Sequence, residues 1–197
     1  MIRLNDIVLL TTKRYQYTTV YVDQSSMLSY VNPKETASVE DTLEEKEAWE
    51  MYDRDKGVTI KSYHGNNGIF KAKKWVESCH RGVQGIDFAG LNAHNNNGMA
   101  EIRIRELKEP TCIMLIHFNR KLLKAVAENL WPYALHMANN VVNETLIFQN
   151  PDKKIPRAAF SVSQVDSTSK HWEILEFQVY VLDIALQATQ PRHTWSE

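Results

Sequence analysis

Near its N-terminal end the chain has two runs rich in β-branched and aromatic residues, with a few polar residues between them. YQYTTVYV at 15–22 and the SMLSYV run after it are typical of two strands, with Asp23 between them. We therefore predict a hairpin with an acid at its turn. A charge-rich stretch from Glu35 to Asp55 has apolar residues at loosely helical intervals and ends near Gly57, which predicts a helix.

Three shorter elements follow in the middle of the chain. VTIKSYH at 58–64 predicts a strand that ends at the turn signal Asn-Asn-Gly of 66–68. KAKKWVESCHR predicts a short helix stopped by Gly82, and a short strand is expected around 86–89.

In the longest periodic segment, five apolar residues and Thr111 recur at spacings of 4, 3, 4, 3 and 4 from Ala100 to Phe118, which is one face of a helix. Pro110 lies inside this segment and is expected to kink or break the helix. A second helix is predicted from Trp131 to Val142. This order of strands and helices predicts an α/β fold, a mixed sheet covered by helices.

Composition and charge narrow the class of protein. A chain of 197 residues with mean hydropathy −0.42 and no long apolar run predicts one intracellular domain without a membrane span or signal peptide. Its two cysteines show no disulfide or zinc spacing, and we expect both thiols to be buried. The net charge of −1 hides an acidic segment at 35–57 and a basic one at 61–124.

Two acids are candidates for divalent-metal chemistry. Asp23 ends a predicted strand and Glu101 lies in the first turn of the long helix, and carboxylates in such places hold Mg²⁺ in phosphoryl-transfer sites. Arg105 and Lys108 share a helical stripe with Glu101 and would face the same nucleic acid. The alternatives are that Asp23 caps a turn, that Glu101 complements a helix N-terminus, and that Glu101 and Arg105 form an ordinary surface pair.

Five segments, in the same order, resemble the catalytic core of Copia-type retrotransposon integrases, in the retroviral-integrase superfamily. They are YVDQSS, YHGNNGIF, NAHNNNGMAEIRIRELKE, LWPYALHMANNVVNET and FQVYVLDIALQ. The resemblance implies an RNase H-like fold of about five strands with flanking helices, and Mg²⁺ or Mn²⁺ as cofactor. It places the catalytic and metal-binding positions at Asp23, Asn66 and Glu101.

The same resemblance implies partners and a division of the chain. DNA and further copies of the chain are the expected partners, and the nucleus is the expected location. An N-terminal arm is expected at 1–13, the core at 14–148 and an extension at 149–197. The residues expected to contact nucleic acid are His64, His94, Asn97, Arg103, Arg105 and Lys108.

Departures from the family pattern indicate a degenerate enzyme. Asn66 stands where the family has its second Asp, Ile102 stands where a basic residue is usual, and Pro110 interrupts the catalytic helix. The chain is thus expected to be an integrase core with little or no activity. The alternatives are a catalytically dead DNA-binding remnant and a marginally folded relic.

Overall fold

The computed structural model describes residues 2–8 by their backbone, together with residues 15–89, 98–121, 130–145 and 154–161. The strands are β1 (Ile2–Val8), β2 (Tyr17–Asp23), β3 (Ser29–Lys34), β4 (Ser62–Gly65) and β5 (Gly85–Phe88). The α-helices are α1 (Val39–Asp55), α2 (Lys73–Arg81), α3 (Gly98–Lys121), α4 (Trp131–Glu144) and α5 (Pro156–Phe160), and a 3₁₀ turn spans Ile69–Lys71.

The strands form one mixed sheet in the order β3-β2-β1-β4-β5. The first three strands are antiparallel neighbours, whereas β4 runs parallel to β1 and β5 runs parallel to β4. The predicted hairpin with Asp23 at its turn is confirmed as β2 and β3, and the predicted α/β class is confirmed.

The first residues of the chain depart from the expected arm at 1–13. Residues 2–8 form β1, which pairs with β2 on one side and with β4 on the other. Ile2 and Leu4 alternate with polar neighbours and are followed by Ile7 and Val8, a composition that suits a strand at the centre of a sheet.

Each face of the sheet carries its own apolar cluster, because neighbouring residues of a strand point to opposite faces. Tyr21 packs on one face with a group of buried aromatic residues, whereas Val20 and Val22 pack on the other face with α3 and α4. The first cluster includes Trp49, Tyr63, Phe70, Trp75 and Phe160, and the second includes Val31, Leu107, Trp131 and Leu135.

The predicted helix ends are confirmed at α1 and α2. Gly57 has the left-handed φ of 74°, and the Val58 N–H donates to the Asp53 carbonyl at 2.9 Å, which closes α1 in a Schellman motif. In α2 the helix ends before Gly82, and the left-handed position falls on Val83, with φ 54°.

Some predictions need correction. The strand expected at 58–64 begins only at Ser62, and the strand expected at 86–89 covers Gly85–Phe88. Cys79 is buried as expected, but Cys112 is exposed. The segment FQVYVLDIALQ, one of the five that carry the family resemblance, lies outside the described residues, as does most of the extension at 149–197. None of the described helices is long and apolar enough to cross a membrane.

Helix α3 continues through Pro110, so the expected break does not occur. Leu107, Thr111 and Phe118 are buried along one face of α3 on both sides of the proline, so both parts of the helix pack against the fold. The Thr111 hydroxyl donates to the Leu107 carbonyl at 2.6 Å within the disturbed turn. The proline still removes the N–H that would bond the carbonyl four residues earlier.

We expect Pro110→Ala to raise the free energy of unfolding by up to about 3 kcal/mol, because it restores a helical hydrogen bond at a half-buried position. Urea denaturation of the two proteins measures the difference. Glu109→Ala, at the exposed neighbouring position, is the control and should change stability by less than about 0.5 kcal/mol. A Pro110→Ala protein no more stable than the parent would show that the helix already accommodates the proline at no cost.

Candidate active site and nucleic-acid interface

Asp23 is held inside the turn between β2 and β3. Its Oδ2 accepts the backbone N–H and the hydroxyl of Ser26, both at 2.7 Å. The Met27 N–H donates to the Asp23 carbonyl at 2.9 Å, and Met27 takes a left-handed φ of 63°. One oxygen of the carboxylate therefore caps the turn, as the alternative interpretation of the sequence had it.

Arg103 is fully buried in the structure, which differs from the predicted phosphate contact. Its Nη2 donates to the Met27 carbonyl at 2.6 Å, and its Nη1 lies 3.1 Å from an oxygen of Glu106. The guanidinium thus fastens the first turns of α3 to the β2–β3 turn. Burying a charged group is costly unless it is paired, so Arg103 has a structural role in this conformation.

Asn66 and His64 lie at the C-terminal end of β4. His64 is buried within the strand and pairs with Arg3 of β1 and Asp87 of β5, whereas Asn66 is half-buried just beyond the strand. The chain then enters the 3₁₀ turn at Ile69–Lys71 instead of returning as a hairpin. The strand therefore ends before the predicted turn signal at 66–68, and the chain bends there into a helical segment.

The strand register separates Asp23 from Asn66. Asp23 pairs with Ile2, and Ile2 pairs with Tyr63, which is three residues before Asn66. Two strand spacings and three residues of rise put their Cα atoms about 14 Å apart. The structure therefore does not bring these two predicted metal-binding positions together.

Asp6, which the sequence interpretation missed, is the acid whose backbone lies nearest in register to position 66. Leu4 pairs with Gly65 in the parallel β1–β4 pair. Asp6 lies two residues after Leu4, and Asn66 lies one residue after Gly65. Their Cα atoms are thus about 6 Å apart on ideal strand geometry. Across β2, Asp6 pairs with Thr19. An acid within an apolar, strand-like run was the signal that could have revealed it.

Three predicted residues on α3 are exposed along one stripe. Glu101, Arg105 and Lys108 recur at helical intervals and all face solvent, so the predicted shared stripe is confirmed. Glu101 lies in the first turn of the helix. His94 and Asn97 lie outside the described residues.

The predicted metal-binding set does not form a metal site. Throughout the part of the chain that the structure describes, no three His, Cys, Asp or Glu side chains are grouped so that they could hold a metal ion. Asn66 supplies an uncharged amide, and Asp23 is engaged by Ser26. These residues therefore do not fit the paired divalent cations of a phosphoryl-transfer centre.

Solved structures show what the fold resembles. The HTLV-2 integrase catalytic core domain in complex with magnesium is similar in its trimeric form, with a TM-score of 0.56, 17% identity and coverage of 81% of this chain and 94% of that chain. The dimeric form of the same domain has a TM-score of 0.56 and 15% identity, with the same coverage of both chains. A third similar structure is the simian T-cell lymphotropic virus intasome in complex with the PP2A regulatory subunit B56 gamma. It has a TM-score of 0.62 and 12% identity, and the match covers 91% of this chain and 59% of that chain.

The chain therefore has the fold of retroviral integrase catalytic cores, and the integrase resemblance is confirmed at the level of the fold. No protein-family model matches the sequence. No curated protein is significantly similar to it in sequence.

A second acid that the sequence interpretation missed is Asp53, near the C-terminal end of α1. Its side chain is 1% exposed, and neither carboxylate oxygen has a hydrogen-bond partner among the described residues. Burial, followed by the charges of Asp23 and Glu50, raises the pKa of Asp53 to about 8. Asp53 is therefore mostly protonated near neutral pH.

We expect Asp53→Asn to remove a pH dependence of stability. The pKa of Asp53 is about 8 in the folded chain, against an ordinary value of 3.8, so unfolding releases its proton between those values. The free energy of unfolding should thus fall as pH rises through that window, by at most about 1.4 kcal/mol per pH unit, and should level off above it.

Urea denaturation at a series of pH values measures this slope in the parent and in Asp53→Asn. Glu47→Gln, which changes an exposed acid of the same helix, is the matched control and should keep the parent slope. An Asp53→Asn protein with an unchanged slope would mean that Asp53 is ionised in the folded chain.

Proposed function

We propose that this chain is a Copia-type integrase core domain that binds DNA and is deficient in strand transfer. The observation that carries the proposal is Asn66, which follows β4 beside the central strand of an integrase-type fold and offers no charge for a metal ion. In this proposal the partners are DNA and further copies of the chain, and the chain acts in the nucleus.

The lack of charge at position 66 argues against an efficient catalyst. Mg²⁺ prefers hard, charged oxygen ligands, and two such ions bring four positive charges into one site. An amide oxygen can coordinate an ion but cannot offset its charge. The magnesium complex of the HTLV-2 core is consistent with a divalent ion in active relatives.

The register supports Asp6, and not Asp23, as the acid that would share a metal ion with position 66. Asp6 lies on the strand next to Asn66. Asp23 lies two strands away from Asn66, at the level of Tyr63, which is three residues before Asn66. Carboxylates that share one ion must converge within a few ångströms, since Mg²⁺–oxygen distances are about 2.1 Å.

The exposed stripe on α3 supports nucleic-acid binding. Arg105 and Lys108 are exposed cations in the basic part of the chain, and two exposed acids, Glu101 and Glu109, lie four residues before and after Arg105. Lysine and arginine side chains that neutralise phosphates give affinity without sequence preference. This contribution does not depend on a bound metal ion, so it can persist when catalysis is lost.

The metal prediction compares four proteins. We expect no strand joining by the parent chain, and we expect Asn66→Asp to bind Mn²⁺ at least tenfold more tightly than the parent, because it adds a carboxylate beside β1. Adding Asp6→Asn to that variant should abolish the gain, whereas adding Asp23→Asn should leave it intact. Titration calorimetry measures all four proteins.

Three results would contradict these expectations. Equal Mn²⁺ affinity in Asn66→Asp and the parent would show that position 66 does not face a metal site. Loss of the gain through Asp23→Asn, with Asp6→Asn silent, would restore Asp23 as the partner. Efficient strand joining by the parent would favour an active enzyme instead.

The DNA prediction concerns Arg105 and Lys108. Replacing both with alanine should weaken binding to duplex DNA and reduce the salt slope by about two units, roughly one for each phosphate contact. Fluorescence anisotropy at several salt concentrations gives both quantities. Lys73→Ala with Arg81→Ala, which removes two exposed cations from α2, is the matched control. If the double variant of α3 keeps the parent's salt slope, DNA binds to a different surface of the protein.

A further inference from the structure

The side of α3 that faces away from the sheet carries two strongly exposed apolar side chains. Ile113 is 66% exposed and Ile116 is 54% exposed. They are three positions apart, so they lie next to each other on the helix surface. Single exposed apolar residues are common on protein surfaces, so the meaning of this pair depends on the residues around it.

Two charged residues of opposite sign flank the pair symmetrically. Glu109 lies four positions before Ile113, Arg120 lies four positions after Ile116, and both charged side chains are exposed. Spacings of 4, 3 and 4 keep the four residues on one line along the helix, as in the seam of a coiled coil. We call these four residues the isoleucine stripe. Within the part of the chain that the structure describes, neither Glu109 nor Arg120 takes part in an ion pair.

The isoleucine stripe is complementary to itself when two copies of α3 run antiparallel. At 1.5 Å of rise per residue, Ile113 and Ile116 lie about 2 Å on either side of their midpoint, and Glu109 and Arg120 lie about 8 Å on either side of it. A two-fold axis through that midpoint therefore places Ile113 of one copy against Ile116 of the other, and Glu109 against Arg120. Parallel helices would instead place Glu109 against Glu109 and Arg120 against Arg120, which is repulsive.

We propose that the isoleucine stripe is a homodimer contact, in which α3 helices of two copies of the chain pack antiparallel. It rests on the proposed function in taking a further copy of the chain as the partner, but it requires neither DNA nor a metal ion. The two-fold axis sets residues 108–121 of the two helices side by side, because α3 ends at Lys121. Arg105 lies beyond this overlap and Lys108 lies at its end, so the surface proposed to bind DNA stays open.

The contact is small, so the dimer should be weak. The overlap is about 20 Å long and one helix wide, which is less area than the roughly 1,200 to 2,000 Å² that stable complexes bury. We expect a dissociation constant of roughly 100 μM at low salt.

The first test is sedimentation equilibrium of the full chain from about 10 μM to about 1 mM, with a reductant present because Cys112 is exposed and could link copies covalently. We expect the parent to show a monomer–dimer equilibrium. Ile113→Lys with Ile116→Lys should weaken it at least tenfold, because the apolar centre is lost and like charges replace it. Ile102→Lys, which changes an exposed isoleucine of α3 outside the overlap, is the matched control and should dimerise as the parent does.

A charge exchange tests the antiparallel orientation. Glu109→Arg alone, or Arg120→Glu alone, turns both ion pairs into contacts between like charges and should weaken the dimer about fivefold at low salt. The variant with both changes exchanges the two charges and should regain the parent's affinity. In a parallel dimer the double variant would keep the same like-charge contacts as the parent, and the single changes would not be rescued by each other.

Three outcomes would overturn the proposal. They are a parent chain that stays monomeric up to about 1 mM, a lysine variant of Ile113 and Ile116 that dimerises like the parent, and a double charge variant that is no tighter than the single ones. All of these positions are exposed, so the variants should fold, and urea denaturation checks that they do. The solutions contain no DNA, so a failure here leaves the DNA prediction untouched, and the Arg105→Ala, Lys108→Ala protein should dimerise as the parent does.

Discussion

The pairing of β1 with β2 on one side and β4 on the other is the constraint on which the layout of the polar residues depends. Because β1 is antiparallel to β2 and parallel to β4, the last residue of β2 and the residue after β4 lie at different levels of the sheet. Asp23 and Asn66 are therefore kept apart by backbone hydrogen bonding, whatever rotamers their side chains adopt.

Helix α1 imposes a second constraint, since it buries charged side chains against the sheet. Glu45 is matched by Lys34 at 3.3 Å, with both side chains less than 5% exposed, and Glu50 is matched by Lys46. Asp53, one turn further on, is left without a partner among the described residues. Buried pairs contribute little net stability, but a buried carboxyl group without a partner is costly to ionise, which is why the pKa of Asp53 is raised.

The sequence was sufficient wherever a local pattern decides the structure. The periodic spacing of apolar residues predicts helices α3 and α4, and turn residues predict the hairpin of β2 and β3. Both signals act over a few positions of the chain. The strand β1 was missed because seven residues without a turn signal gain their structure only by pairing with distant segments. The packing of α3 likewise outweighs Pro110, and no local pattern reveals that Arg103 reaches Met27 across 76 positions.

The contacts of the core are separate from the predicted metal-binding positions, and this bears on the proposed loss of catalysis. Two apolar clusters and the ties from Asn139 and Asn143 to Ser29 hold the sheet to its helices, and none of these contacts involves a predicted metal-binding position. In the proposed function, the asparagine at position 66 therefore lowers the charge of the site without removing a contact from the core. Under the proposed function, the exposed cations of α3 are equally independent of that position, so the proposed DNA binding would survive a loss of metal-dependent strand transfer.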